Sequence, residues 1–407
     1  MGDFHQSGVI TTLHNLTRRP VEALEAELSR FSNQRALGLI LPSLYSELEG
    51  PALGHIVEEL KSVNYLHRIV IGLDRADQDE FQKAGRFFSG LGDRHQILWN
   101  DGPRLRELDA ELQTLGLAPS EPGKGRNAWY CLGYMLACGD VDALALHDCD
   151  IVTYERGLLA RLIYPVANPA FSYEFCKGFY ARVADGKLNG RVSRLLVTPL
   201  LHALKKCRGG ESEYLDYLDS FRYPLAGEFS MRIGVVPDLK IPADWGLEVG
   251  ILSEMYRNYS TNRICQVDIA DIYDHKHQQL STDNDQGGLS KMSIDISKAI
   301  FRKLATKGWV FQQETFRSLK ATYYRLALDL VEAYKNDAAI NGLSVDVHRE
   351  EQAVELFAAN IMKAGHHFLE NPLETPFIPS WNRVASAKPD VFEQLKAAVE
   401  ADRAEFL

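Results

Sequence analysis

Residues 142–150 read Asp-Ala-Leu-Ala-Leu-His-Asp-Cys-Asp. A short apolar run bounded by polar residues is the pattern of a buried strand in a parallel sheet, so Asp142–His147 predicts such a strand. In open parallel sheets, ligands bind beyond the carboxyl ends of the strands, where Asp148 and Asp150 stand. Two hard carboxylates one residue apart suit a divalent cation that also holds phosphate oxygens. The plainer alternative is a helix cap or solvated turn, positions that aspartate favours. A phosphatase-type aspartate nucleophile also uses this spacing, but usually on the first strand of its domain. Here three strand–helix units come before it.

Upstream, apolar runs at Ala36–Leu41, His67–Leu73 and Gln96–Trp99 predict strands, the first ended by Pro42. Between them, Gly54–Ser62, Asp77–Phe88, 103–117 and Lys124–Cys138 read as helices, with Pro103 at a favourable first-turn position. Strands alternating with helices predict an α/β fold, a mainly parallel Rossmann-like sheet with helices on both faces. Downstream the alternation becomes irregular. Ala170–Phe175 and Lys177–Val183 predict paired strands, 192–206 a helix despite Pro199, Leu247–Arg257 a helix and Arg263–Ile269 a strand. After the polar stretch Gln279–Gly288 the pattern is helical, with Leu326, Leu330, Val331 and Tyr334 on one face of a long helix. The expected division is an N-terminal helical extension (1–35), an α/β core (36–285) and a helical C-terminal region (286–407).

The chain has 407 residues, with 45 basic and 55 acidic side chains and a net charge of −10, which argues against broad nucleic-acid binding. No run of apolar residues is long enough to span a membrane, and Met1–Asn15 lacks the apolar core of a signal peptide. The six cysteines form no CxxC pair and read as reduced packing residues of a cytoplasmic protein.

Other segments could carry chemistry. Gly123-Lys124-Gly125-Arg126 opens a helix, where backbone amides and two cations suit an anion; its spacing is not that of a P-loop. Gly190-Arg191-Val192-Ser193-Arg194 repeats the theme. Cations at a helix N-terminus oppose the macrodipole, so a bound anion would relieve the conflict. Asp274-His275-Lys276-His277 offers imidazole nitrogen to a metal, from one of the two histidines. Glu228 and Glu248, beside Pro224–Gly227 and Asp244–Gly246, suit hydroxyl recognition next to an aromatic ring. Each segment taken alone also reads as an exposed turn or a helix cap.

Taken in order, LPSLYSE (41–47), PGKGRNAW (122–129), HDCDI (147–151), GRVSRLLVTPLL (190–201), PLAGEFSM (224–231), DWGLEVG (244–250) and YDHKHQ (273–278) resemble the glucosyl-3-phosphoglycerate synthases. These are retaining enzymes of glycosyltransferase family 81 with the GT-A fold. Tyr45-Ser46 stand where the family commonly has Asn-Glu. Cys149 stands where Ser is frequent, Ser193 where Thr is, and His277 where some members carry Asn.

The resemblance implies a nucleotide-sugar donor, UDP- or GDP-glucose, and 3-phosphoglycerate as acceptor, with Mg²⁺ or Mn²⁺ as cofactor. On the donor side it implies Pro42, Ser43, Leu44 and Glu47 at the nucleobase, Lys124 and Asp148 toward phosphate and ribose, and Trp245, Gly246 and Glu248 around the hexose. Asp150 and His275 would hold the metal. Gly190, Arg191, Val192 and Ser193, with His277, would grip the acceptor, and the Leu225 carbonyl would lie near the reacting centre. Asp150, Leu225 and Glu248 are thus the candidate catalytic residues. A homodimer in the cytoplasm is expected. The rival readings are a mannosyl-3-phosphoglycerate synthase, a sugar-phosphate nucleotidyltransferase and a non-catalytic sugar-nucleotide sensor.

Overall fold

Every residue of the strand after Asp142 is buried, and alternate side chains enter opposite layers. Leu144 and Leu146 join one hydrophobic core, whereas Ala143 and Ala145 join the other. Each buried leucine of this kind contributes about 1.5–3 kcal/mol relative to exposure. The computed structural model describes residue 6 and residues 8–17, 19–119, 122–275, 288–372 and 377–407.

In chain order the strands are β1 (Thr11–Leu13), β2 (Leu37–Leu44), β3 (Leu66–Asp74), β4 (His95–Trp99), β5 (Ala143–Leu146), β6 (Phe175–Ala184), β7 (Lys187–Leu188), β8 (Phe229–Arg232) and β9 (Ile264–Tyr273). The sheet order is β1-β9-β6-β8-β5-β2-β3-β4, with β7 pairing β6 off the path. Strands β2 to β5 pair in parallel, as do β1, β9 and β6 among themselves; β8 runs antiparallel between β5 and β6. The chain steps outward from β2 to β4, then returns to place β5 on the other side of β2. The crevice between β2 and β5 is therefore a topological switch point, and Asp148 emerges beside it.

The four strands expected before residue 150 are all present, and the helix Lys124–Cys138 begins and ends where its pattern predicts. Three expectations are corrected. The segment before residue 36 is not wholly helical, because β1 adds an edge strand along β9 before the helix Val21–Ser32. The strand pair expected over 170–183 is one continuous strand, β6, and its partners are β8 and β9. The helix expected over 192–206 opens as a π-helix, Val192–Val197, and continues as Thr198–Arg208 with Pro199 in its first turn. The polar stretch at 279–287 lies outside the described residues.

The C-terminal region is helical, as expected. Its long helix, Gln313–Ile340, buries the line Phe316, Leu319, Tyr323, Ala327 and Val331; Leu326, Leu330 and Tyr334 flank that line half-buried. Trp381 stacks on Trp129 with ring centroids 4.0 Å apart, and its indole N–H donates to the Trp129 carbonyl at 3.1 Å. The final helix, Val391–Phe406, packs on Pro103–Thr114 and Lys124–Cys138. Among the described residues no helix is long and apolar enough to cross a membrane.

Candidate active site

A cavity of about 1060 Å³ opens at the carboxyl end of the sheet. Lys124 enters it from the first turn of its helix, Asp148 from the end of β5, and Glu248 from the first turn of the helix Leu247–Asn258. Lys124 Nζ lies 2.6 Å from Asp148 Oδ1 and 3.4 Å from Glu248 Oε1. Burial alone would push the Asp148 carboxyl up, but the neighbouring ammonium outweighs it and holds the carboxyl below its ordinary range. Burial would likewise lower Lys124, yet Asp148 and Glu248 hold it well above the usual lysine range. The site thus carries fixed opposite charges side by side.

The PLAGE turn lies against Asp148. A methyl group on Gly227 would sit 2.5 Å from Asp148 Oδ2, so this backbone can approach the carboxylate only without a side chain. Behind the turn, Lys177 is completely buried and donates a hydrogen bond to the Ala226 carbonyl. Desolvation pushes its amine down to about 8, against the pull of Glu248 and Glu228. Glu228 is also fully buried, accepting hydrogen bonds from Tyr180 at 2.8 Å and Tyr273 at 2.5 Å. Burial and the Asp148 charge raise its carboxyl. Each of its oxygens accepts a tyrosine hydroxyl and it does not line the cavity, so Glu228 is not placed to act on a substrate.

Asp150 and His275 come together because residues 151–153 pair with 272–275: Ile151 bridges His275, and the Val152 amide donates to the Asp274 carbonyl at 2.9 Å. His275 Nδ1 then lies 3.6 Å from Asp150 Oδ2, while Asp150 Oδ1 is buried with no hydrogen-bond partner. A buried carboxylate oxygen without a donor beside an imidazole nitrogen is a donor set that fits a divalent cation. Among the described residues no third histidine, cysteine or carboxylate completes a cluster. His147, packed at the strand end, is a different case: burial pushes its ring down to about 4, and Nδ1 faces the Asp148 carbonyl at 2.9 Å.

Gly190, with a φ of +80°, turns the chain so that Arg191 and Val192 line the same cavity. Ser193 is buried behind them and its hydroxyl does not reach the wall. The anion that relieves the charge at this turn is already part of the protein. Glu350, on the helix Val347–Glu370, meets Arg191 Nε at 2.7 Å and Arg194 Nη2 at 2.9 Å.

Trp245, 41% exposed, and Leu225 also line the cavity; Gly246, placed among the hexose contacts by the sequence reading, does not, and its amide donates to Asp244 Oδ1 at 2.9 Å. Pro42, Ser43, Leu44 and Glu47 do not line it either. They stand at the end of β2 and in the turn after it, and the Ser43 hydroxyl donates to the Leu44 carbonyl at 3.0 Å. His277 lies outside the described residues.

The sequence reading missed Arg75, just beyond β3, and the cavity wall formed by Tyr180, Arg182 and Tyr223. It also missed Lys291, Lys298 and Arg302, which the helix Gly288–Ala305 brings to the cavity from the C-terminal region. Arg75 could have been found by applying the strand-end rule to Asp74-Arg75; the C-terminal cations carried no local signal.

No protein-family model matches the chain. A curated relative from Persephonella marina, named glucosyl-3-phosphoglycerate synthase, is 48% identical over 405 residues, covering 100% of both chains. Another of that name, from Methanococcoides burtonii, is 38% identical over 408 residues and 99% of each chain. Among solved structures, glucosyl-3-phosphoglycerate synthase from Mycobacterium tuberculosis, in complex with Mn²⁺, UDP-glucose and phosphoglyceric acid, superposes with a TM-score of 0.52. That likeness has 21% identity and covers 74% of this chain and 89% of the other. Mannosyl-3-phosphoglycerate synthase from Rubrobacter xylanophilus gives 0.54 at 20% identity, over 74% and 83%. At such identities the structural likeness speaks for the fold alone, which is GT-A with a helical C-terminal region.

Proposed function

The chain belongs to the glucosyl-3-phosphoglycerate synthase family, and on that premise we propose that it transfers glucose from a nucleotide sugar to 3-phosphoglycerate with retention at the anomeric carbon. The observation that carries this reading is the convergence, in one cavity, of the Lys124–Asp148–Glu248 cluster with the Gly190–Val192 turn. A donor bound at the first and an anionic acceptor at the second would meet inside a single cleft, where orientation alone can supply much of the rate.

Lys124 would pair with the donor diphosphate, giving up part of its contact with Asp148 as the phosphates arrive. Its charge is then in place where negative charge grows as the nucleotide departs. Asp150 and His275 would hold Mg²⁺ or Mn²⁺, the ions present with UDP in the mycobacterial complexes. Such an ion supplies charge neutralisation at the diphosphate. Asp148 and Glu248 would accept hydrogen bonds from ribose or sugar hydroxyls, and the Trp245 ring offers an apolar face to the hexose. Arg191 would bind the acceptor phosphate. The Leu225 carbonyl would face the anomeric carbon as positive character develops there. Attack by the acceptor hydroxyl on the face that the nucleotide leaves accounts for retention without a covalent sugar–enzyme step. Glu228, fully buried and held by Tyr180 and Tyr273, supports that choice because it does not reach the cavity.

A panel of UDP- and GDP-linked glucose and mannose, crossed with 3-phosphoglycerate and glycerate, tests the reading. Glucosyl-3-phosphoglycerate is the expected product. Preferential mannosyl transfer or binding without turnover in this panel, or pyrophosphate release in a parallel incubation with nucleoside triphosphate and sugar phosphate, would each replace it with one of the rival activities.

A further inference from the structure

The C-terminal helices bring a buried carboxylate to the acceptor turn. Glu350 stands in the first turn of the helix Val347–Glu370, its side chain 2% exposed, with two guanidinium groups around it. Arg194 is withdrawn from the cavity. Its Nε donates to the Asn189 carbonyl at 2.8 Å, and its guanidinium lies 4.8 Å from the centre of the Tyr334 ring. Arg191 stays at the cavity wall and meets Glu350 through Nε. One carboxylate against two guanidinium groups leaves one positive charge in excess, and the cavity side of this cluster is Arg191.

The segment that carries both arginines is itself held by the C-terminal region. The Tyr323 hydroxyl donates to the Leu195 carbonyl at 2.5 Å, and the Ser344 amide to the Gly186 carbonyl at 2.8 Å. The turn opens into a π-helix, a rare form that concentrates at functional sites. An arginine recognises phosphate through a planar fork, so recognition depends on the orientation of that plane as well as on charge. A carboxylate on Nε sets the plane and leaves the terminal nitrogens for the cavity.

We propose that Glu350 is a positioning residue for the acceptor, holding Arg191 through Nε so that its remaining N–H groups meet the phosphate of 3-phosphoglycerate. This deepens the proposed function and rests on Arg191 being an acceptor contact. On this reading the C-terminal helices take part in substrate selection without touching substrate at this point.

The test is steady-state kinetics on the full chain with Glu350→Gln, Arg191→Ala and the double variant. Glu350→Gln keeps the shape and one acceptor oxygen but removes the charge. It should raise the KM for 3-phosphoglycerate by about tenfold, the scale on which outer partners of a ligating group act. The donor KM and kcat should stay within about twofold, a split that general loosening would not produce. Glu350→Asp, which keeps the charge, should recover part of the loss. In the Arg191→Ala background, Glu350→Gln should add nothing, because its effect passes through Arg191. An unchanged acceptor KM, a parallel loss in kcat and both KM values, or an additive effect on Arg191→Ala would overturn the proposal while leaving the acceptor assignment intact. If Arg191→Ala itself leaves the acceptor KM unchanged, the acceptor assignment fails and this proposal fails with it. Should Glu350→Gln not fold, Glu350→Asp and its double variant with Arg191→Ala carry the same comparison, in which no rise in acceptor KM, or an additive one, overturns it.

Discussion

Lys124 Nζ and Asp148 Oδ1 are 2.6 Å apart, so the cation that opens one helix and the first carboxylate of Asp148-Cys149-Asp150 already form an ion pair. The arrangement keeps a lysine charged at the bottom of a cleft, where desolvation would otherwise favour its neutral form. On the proposed function, an incoming diphosphate would exchange partners with Asp148 rather than meet a free cation. Substitutions around this pair should therefore affect turnover more than fold.

Gly227→Ala tests the closest approach to that pair. The added methyl would lie 2.5 Å from Asp148 Oδ2, and the turn and carboxylate cannot both keep their places. Overpacking of this kind costs about 1–3 kcal/mol. Thermal unfolding should show a drop in Tm, and kcat should fall more steeply than the fraction folded predicts. An active variant of wild-type stability would mean that the turn can shift without consequence.

Asp150→Asn and His275→Ala should each lower turnover by at least about tenfold, the usual scale for a lost metal ligand or its outer partner. Chelator should abolish activity, and Mg²⁺ or Mn²⁺ should restore it. Isothermal titration with Mn²⁺ in the presence of UDP gives an independent readout: both variants should bind the ion more weakly. Unaltered Mn²⁺ binding in both would remove these residues from the metal site.

Lys177→Met keeps the length of the side chain and removes the charge under the Ala226 carbonyl. Leaving that carbonyl unpaired costs about 1–3 kcal/mol, and kcat should fall by at least about tenfold, equivalent to 1.4 kcal/mol. Because burial pushes Lys177 down to about 8, wild-type kcat should also decline as the pH rises through that value. The facing groups are Glu248, Glu228, Lys124 and Asp148. A pH profile of identical shape in the variant would assign the alkaline limb to another group.

His147 links stability to acid pH. Its ring is pushed from an ordinary 6.5 to about 4 by burial, so between these values the unfolded chain binds a proton that the folded chain refuses. Stability should fall as the pH drops from 6.5 to 4, by up to about 3 kcal/mol for this group. Asp74, which burial raises to about 6, works in the opposite direction over part of the range. The informative quantity is therefore the difference in unfolding free energy between wild type and His147→Gln, measured from pH 7 to pH 4. It should narrow toward acid; a constant difference would show that His147 does not titrate as its burial requires.

Much of the sheet was legible because the signals that specify it are local. Apolar runs such as Ala143–Leu146 and the glycine-bounded helix Lys124–Cys138 each announce themselves within a few residues, and strand–helix alternation implies parallel pairing. The strand β8 (Phe229–Arg232) carries no comparable signal. Its four residues are too few to show a period, and its antiparallel insertion depends on β5 and β6, which lie far from it in sequence. For the same reason β1, three residues long, was hidden in a segment that otherwise reads as helical.

The site divides in the same way. The residue types and order of the motifs, Asp148 and Asp150 after a strand, Lys124 in a glycine-bounded first turn and Arg191 after Gly190, are properties of the sequence by itself. They specify the chemistry available: cations and carboxylates gathered in a cleft at the carboxyl end of a parallel sheet. Which charges are answered from within the protein was decided only by tertiary structure. Lys177 looks like any surface lysine until β6 buries it under the Ala226 carbonyl, and Glu350 is one more helical glutamate until its helix packs against the Gly190–Arg194 turn. A side chain's ionisation and partners depend on solvent exclusion and on contacts between residues far apart in the chain. Glu350 and Arg191, 159 positions apart, become neighbours only when the chain folds.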